Sequence, residues 1–182
     1  LAKQQKGNEM SLFSFDCEAD GPCPGLYSMI EMGMVVVTPT LDKTYFSTLK
    51  PMTEYFEDGA LKAIGATREQ TLAYRDPAEA MKEAVEWVEA TSEGRPTFIS
   101  DNNGFDWQFW NYYCHYYIGR NPFGFSSRRI SDVYSGLTRN IRGGTKWKSL
   151  RKTAHTHNAL DDAKGNAEAL LEIGKRYRID IE

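Results

Sequence analysis

Ser14-Phe15-Asp16-Cys17-Glu18 is the stretch from which the rest of the chain can be read. Leu12, Phe13 and Phe15 supply the apolar and aromatic residues of a strand, and the stretch reads as its end. Side chains alternate across a strand, so Asp16 and Glu18 project from one face. Two carboxylates that close repel one another unless a cation lies between them. A bare Asp-x-Glu is equally a solvated strand end, so the metal reading depends on ligands supplied from elsewhere in the chain.

Working outward, Gly21-Pro22-Cys23-Pro24-Gly25 is loop punctuation. Tyr27–Thr38, rich in Met, Ile and Val, predicts a buried strand, and Leu41–Leu49 a third strand joined to it as an antiparallel meander. Asp58–Ile64 predicts a short helix stopped by Gly65. A longer helix is predicted over Pro77–Ala90, with Asp76 as N-cap, Pro77 in the first position and an apolar stripe of Ala80, Met81, Ala84, Val85, Trp87 and Val88. Pro96–Ser100 reads as a short buried strand. Asp101–Asp106 then turns into an aromatic helix carrying Trp107, Phe109, Trp110, Tyr112 and Tyr113, read as core more than as a stacking platform. Ile130–Val133 predicts a strand leading into a helix through Arg139, and Trp147–Thr153 a short basic helix. Strands followed by alternating strand and helix give an α/β fold with a mixed sheet flanked by helices.

The last helix begins near His157-Asn158-Ala159-Leu160-Asp161-Asp162-Ala163 and runs to about Arg176. Helical spacing puts Ala159, Asp162, Ala163, Asn166, Ala167 and Leu170 on one side, and Asp161, Lys164, Gly165 and Glu168 on the other. Asp162 thus points inward from a small, apolar face. A buried carboxylate is costly without a cation or donors, and His157 lies just before it.

Composition bounds the alternatives. At 182 residues, 41% hydrophobic and 26% charged, the chain is sized and composed as one globular domain. No run approaches the roughly 18 apolar residues of a membrane span. Leu1–Glu9 is polar and without an apolar centre, which is not the pattern of a signal peptide. Residues 1–10 are read as a flexible extension and 11–182 as a single domain. Cys17, Cys23 and Cys114 form no CxxC pair, so the expectation is reduced thiols in a cytoplasmic protein and a hard cation held by oxygen rather than zinc held by sulfur. The net charge is −3, yet residues 128–152 carry Arg128, Arg129, Arg139, Arg142, Lys146, Lys148, Arg151 and Lys152 against Asp132 alone. That stretch is net +7 on a body of −10, a distribution that suits gripping an anion at one place or is simply a solvated surface run.

Asp16-x-Glu18, Asn102-x-x-Phe105-Asp106 and His157-x-Ala159-x-x-Asp162, in that order, resemble the three motifs of the DEDD 3′–5′ exonuclease superfamily in its His-containing (DEDDh) variant. The likeness runs from about residue 11 to 175, and its tail resembles small stand-alone exoribonucleases such as ribonuclease T and oligoribonuclease. The resemblance implies a ribonuclease H-like fold with a central mixed five-stranded sheet. It also implies two divalent cations, Mg²⁺ or Mn²⁺, held by Asp16, Glu18, Asp106 and Asp162, with His157 as general base. Such a site activates water and stabilises charge on the leaving 3′ oxygen, and an imidazole can take a proton near neutral pH. Asn102, Lys148 and Arg151 are candidate substrate contacts, the basic segment meeting phosphates near the site. The implied substrate is single-stranded nucleic acid, RNA in preference to DNA, released as nucleoside 5′-monophosphates by a homodimer. A proofreading or repair DNA exonuclease and a catalytically silent binding domain are the other readings. Two departures stand out: Asp101 occupies a position often held by His in these enzymes, and His155 is a second imidazole two residues before His157.

Overall fold

β1 (Met10–Ala19) is the centre of the molecule. The computed structural model describes residues 10–181 of the chain. The expected extension, apart from Met10, therefore lies outside the described residues, and Met10 itself is the first residue of β1. β2 (Met29–Val36) runs antiparallel to β1 and β3 (Thr44–Thr48) antiparallel to β2. On the other side β4 (Arg95–Ser100) and then β5 (Ser127–Arg129) are parallel to β1. The result is a mixed five-stranded sheet in the order β3-β2-β1-β4-β5.

The helices follow their sequence signals where those signals are local. α1 (Asp58–Ile64) ends at Gly65, whose φ of 76° is the left-handed conformation a C-cap glycine supplies. α3 (Pro77–Thr91) is capped by Asp76, which accepts from the backbone N–H groups of Ala78 and Glu79. α2 (Arg68–Leu72), which the strand and helix patterns did not suggest, is held by a reciprocal capping box between Thr67 and Gln70. The expected strand at Ile130–Val133 is instead the start of α5 (Ile130–Thr138), and the strand is the three residues before it. A three-residue edge strand is defined by its pairing with β4 and leaves almost no periodicity to read. The basic segment forms a 3₁₀ turn over Lys146–Leu150.

Strand alternation sorts the core into two layers. Phe13, Phe15 and Cys17 face α3 and α4 (Asn103–Tyr113), where Phe109, Trp110 and Tyr113 are buried. Phe15 meets Phe98 at 4.9 Å and Trp110 at 5.3 Å between ring centroids, the last in edge-to-face geometry. Leu12, Val35, Ile99 and Trp147 form the opposite layer with α6 (Ala159–Tyr177). Its inner side is Ala159, Asp162, Ala163, Asn166, Ala167 and Leu170, as helical spacing requires. Gly165, expected on the outer side, is buried as well, because Arg151 and Thr153 fold over it; a Cβ there would lie 3.0 Å from the Thr153 carbonyl oxygen.

Gly33 lets α6 sit this close to the sheet. It pairs with Asp16 across β1 and β2, and a Cβ on it would come within 2.3 Å of the Ala159 carbonyl and 2.4 Å of the Leu160 nitrogen. Both are backbone atoms of the turn that carries Asp162, and neither can swing aside. Gly33→Ala is therefore expected to cost about 1–3 kcal/mol, lowering the melting temperature by roughly 5 °C. It should also lift Asp162 from Asp16 and Glu18, so activity falls with stability. Thermal melting and an activity assay on the same preparation check this; an unchanged melt would mean that α6 tolerates a wider seat.

Candidate active site

Two elements meeting over β1 bring three carboxylates together. Ser14 Oγ donates to the Ala163 carbonyl at 2.8 Å, tying the α6 face of β1 to that helix. Asp16 and Glu18 continue the same face, and Asp162 enters from the first turn of α6. Carboxylate oxygens of Asp16, Glu18 and Asp162 lie within 4.8 Å of one another. Asp162 is only 1% exposed.

Asp106 arrives from the opposite face of the sheet, on the first turn of α4. Its Oδ1 accepts from the Cys17 backbone N–H at 3.4 Å and faces the Cys17 thiol at 3.7 Å, which fixes it at the end of β1 between Asp16 and Glu18 in sequence. Its Oδ2 is buried with no hydrogen-bond partner among the described residues. Asp106 is not one of the three that converge within 4.8 Å, but its charge acts on Asp16 and Glu18, and a buried carboxylate oxygen without a hydrogen-bond partner in that field asks for a cation.

The electrostatics say the same. Burial, reinforced by Asp106, Glu18 and Asp162, holds the Asp16 carboxyl well above the usual carboxylate range, with only Arg151 opposing. Glu18 is pushed up to about 8 by burial and by the charges of Asp162, Glu31 and Asp106. Burial raises Asp106 to about 7, against the pull of the neighbouring Ser100 hydroxyl and then of its bonds to Cys17. Each group prefers a proton to bare charge, and a divalent cation could take the protons' place.

The segment from Lys146 to Asn158 closes over Asp162. The Thr156 and His157 backbone N–H groups donate to its two oxygens at 3.4 and 3.1 Å. His157 adopts φ 58°, a left-handed conformation uncommon for a non-glycine residue. Its Nδ1 lies 3.6 Å from Glu18, whereas His155 Nδ1 lies 2.7 Å from Asp162 Oδ1, and the two imidazoles are 4.4 Å apart. Both histidines thus reach the carboxylates, each touching a different one.

Arg151 and Lys148, candidate substrate contacts, are both turned onto Asp101. The Lys148 ammonium is 2.5 Å from Asp101 Oδ2. Arg151, whose side chain is 9% exposed, hydrogen-bonds Asp101 at 3.3 Å and Asn166, lies over the Trp147 ring and stands 3.9 Å from Asp162. A guanidinium buried to that degree needs partners, and these supply them except at Nε, which is buried with no hydrogen-bond partner among the described residues. Asp101 thereby joins the end of β4 to the 148–151 segment. Asn102 is exposed, with its backbone carbonyl accepting from Phe105 and Asp106 at the start of α4.

Glu31 belongs to the site and was missed from the sequence. It pairs with Glu18 across β1 and β2, is 8% exposed, and accepts from the Ala159 N–H at 3.5 Å at the N-terminus of α6. The readable signal was there: Glu31 is the one charge in the buried run Met29–Val36.

Comparison with known proteins decides the family. Over 170 residues the chain is 35% identical to the 3′–5′ DNA exonuclease Cap18 of Escherichia coli, covering 89% of this chain and 90% of that protein. The chain belongs to the 3′–5′ exonucleases. It is a phosphodiester hydrolase. No protein-family model matches it. Among solved structures, the exonuclease superposes with a TM-score of 0.69 on the nuclease domain of 3′hExo, a DEDDh family member solved with rAMP, at 16% identity and 92% coverage of both chains. Escherichia coli Exonuclease I in complex with a dT13 oligonucleotide gives 0.68 at 15% identity, with 93% of this exonuclease matching 42% of that chain. At such identities the likeness is one of fold, and the mixed sheet of the exonuclease is that of ribonuclease H-like exonucleases.

Proposed function

We propose that this exonuclease is metal-dependent and removes nucleoside 5′-monophosphates one at a time from single-stranded 3′ ends. The observation that carries the reading is the convergence of Asp16, Glu18 and Asp162 within 4.8 Å, with the unpartnered Oδ2 of Asp106 buried nearby. An all-oxygen donor set of this kind suits Mg²⁺ or Mn²⁺. Asp16, Glu18, Asp106 and Asp162 would hold two such ions, which when bound supply Lewis acidity towards water and neutralise charge at the leaving oxygen.

The chain's own residues do the rest. His157, at the motif position and 3.6 Å from Glu18, takes the proton from the attacking water. His155, with Nδ1 2.7 Å from Asp162 Oδ1, orients that carboxylate. Arg139, Arg142 and Lys146, exposed on the basic segment, meet substrate phosphates, while Lys148 and Arg151 act through Asp101.

For the sugar, the relative that is 35% identical acts by its name on DNA, and this favours DNA as the first reading. RNA, the expectation from the resemblance to small exoribonucleases, is the second. Homodimerisation rests on that same resemblance, and a cytoplasmic location on the reduced thiols expected of Cys17, Cys23 and Cys114. No helix among the described residues is long and apolar enough to cross a membrane.

The test is a time course on matched 5′-labelled single strands, one DNA and one RNA, with Mg²⁺, Mn²⁺ or EDTA. A ladder shortening from the 3′ end is expected, abolished by EDTA and by Asp16→Ala, with the faster strand naming the substrate. His157→Ala should slow the ladder by about 10²–10⁴-fold, and His155→Ala by about 10–100-fold. No shortening of either strand with either metal would overturn the proposal, and a larger loss at His155 would exchange the roles of the two histidines.

A further inference from the structure

The exonuclease has an unassigned cavity at the far end of the sheet from the carboxylates. β5 pairs only with Phe98–Ser100, so among the described residues the first half of β4, Arg95–Thr97, has no strand on that side. The space left there is a cavity of about 550 Å³, with Phe123 and Thr97 in its wall and Arg95, Arg128 and Ser126 at its rim. An open strand edge can accept an added peptide strand, but Pro96 lacks an N–H and the flanking arginines blunt this edge.

The chemistry of the rim is that of an anion site. Arg68, Arg120 and Arg151 each have a carboxylate partner. Arg95 and Arg128 form no ion pair among the described residues, and both are exposed. Next to Ser126, Phe125 is 92% exposed, beyond a turn in which Gly124 takes φ 75°. Exposed guanidinium groups beside an aromatic ring held in water are what a single strand uses, phosphates on the first and a base on the second.

The cavity also connects to the active site. Asn103 Nδ2 donates to the Arg128 carbonyl at 2.8 Å, and Arg129 Nε donates to the Asp101 carbonyl at 3.1 Å. Asp101 holds Lys148 and Arg151, and Arg151 stands beside Asp162. From Arg95 to Ser100 the strand advances about 17 Å, the length of roughly three to five nucleotides.

We propose that this cavity is a distal subsite, where Arg95, Arg128 and Phe125 hold the backbone and one base of a single-stranded substrate several nucleotides upstream of its 3′ end. The assignment rests on the single-strand reading above and adds to it a dependence on substrate length.

The test compares kcat/KM on short and long homopolymer strands, about three and about twelve nucleotides, of whichever sugar the wild-type enzyme degrades faster. Wild type should favour the long strand by about tenfold or more. Arg95→Ala/Arg128→Ala should bring the long-to-short ratio close to one through a higher KM, and reduce the salt dependence on the long strand by about two units of slope. Phe125→Ala should lower the ratio several-fold. Arg95→Lys/Arg128→Lys should keep most of the preference, because it keeps the charge. An unchanged ratio in the double alanine variant, or no length preference in wild type, would overturn the subsite while leaving the exonuclease reading intact. If wild type shortens neither strand, the single-strand reading fails and the subsite fails with it.

Discussion

Asp16→Asn is expected to abolish activity while making the metal-free protein harder to melt. The substitution keeps shape and removes charge. In the wild type, Asp16 is buried against Asp106, Glu18 and Asp162, and each of them raises the cost of its ionisation. Removing the group that folding must hold protonated in such a cluster should return about 1–3 kcal/mol, raising the melting temperature in EDTA by roughly 3–8 °C. The same change removes a ligand, so the stabilisation of wild type by Mg²⁺ or Mn²⁺ should shrink or vanish. Activity should fall on the order of 10³-fold or more. Paired melting curves with and without cation, beside the gel assay, read all three effects. A variant that melts below wild type in EDTA, or keeps the full cation-induced shift, would count against a metal site built from mutually repelling carboxylates.

The second large effect is on pH. Burial and neighbouring carboxylates push Glu18 up to about 8 and burial pushes Asp106 up to about 7, and Asp16 and Glu31 are also raised, against unfolded values near 4. Groups raised in the folded state bind more protons there than in the unfolded chain. Their contribution to stability is complete below about pH 4 and is lost as pH rises through about 7 to 8. Without divalent cation, the melting temperature should therefore fall between about pH 5 and pH 8, by roughly 5 °C or more. Exposed acids held low by partners, such as Glu89 and Glu172, act in the other direction but weakly, because solvent screens them. Saturating Mg²⁺ should flatten the decline, since cation binding displaces the protons, and apparent affinity should rise with pH. Differential scanning calorimetry across that range, with EDTA and with Mg²⁺, measures both slopes. Parallel slopes would show that the cation does not compete with these protons.

Local physics explains why so much was legible in advance. A strand alternates, so Asp16 and Glu18 had to share a face. A helix repeats every 3.6 residues, so Asp162 had to point in from a face of alanines. The ends of α1 and α3 were set by Gly65, Asp76 and Pro77, each acting within its own turn. The order of the three motifs carried the 3′–5′ exonuclease reading, which the 35% identical relative supports over nearly the whole chain.

What the chain alone did not reveal depends on contacts between residues far apart in it. Asp106 reaches the end of β1 from the other side of the sheet through Cys17, 89 residues away. Glu31 meets the first turn of α6 across 128 residues. Both are set by how layers stack. Lys148 and Arg151 read as candidate substrate contacts in sequence, yet Asp101 captures both, because only folding brings the end of β4 beneath the 148–151 segment. β5 is three residues long and exists because β4 is beside it. The sequence by itself determined the residue types that can hold a cation and the faces they occupy, since those follow from periods of two and 3.6. Tertiary structure alone decided which histidine meets which carboxylate, how near α6 comes to Gly33, and where an unpaired edge leaves room for a strand, since each is a distance between elements that no local rule measures.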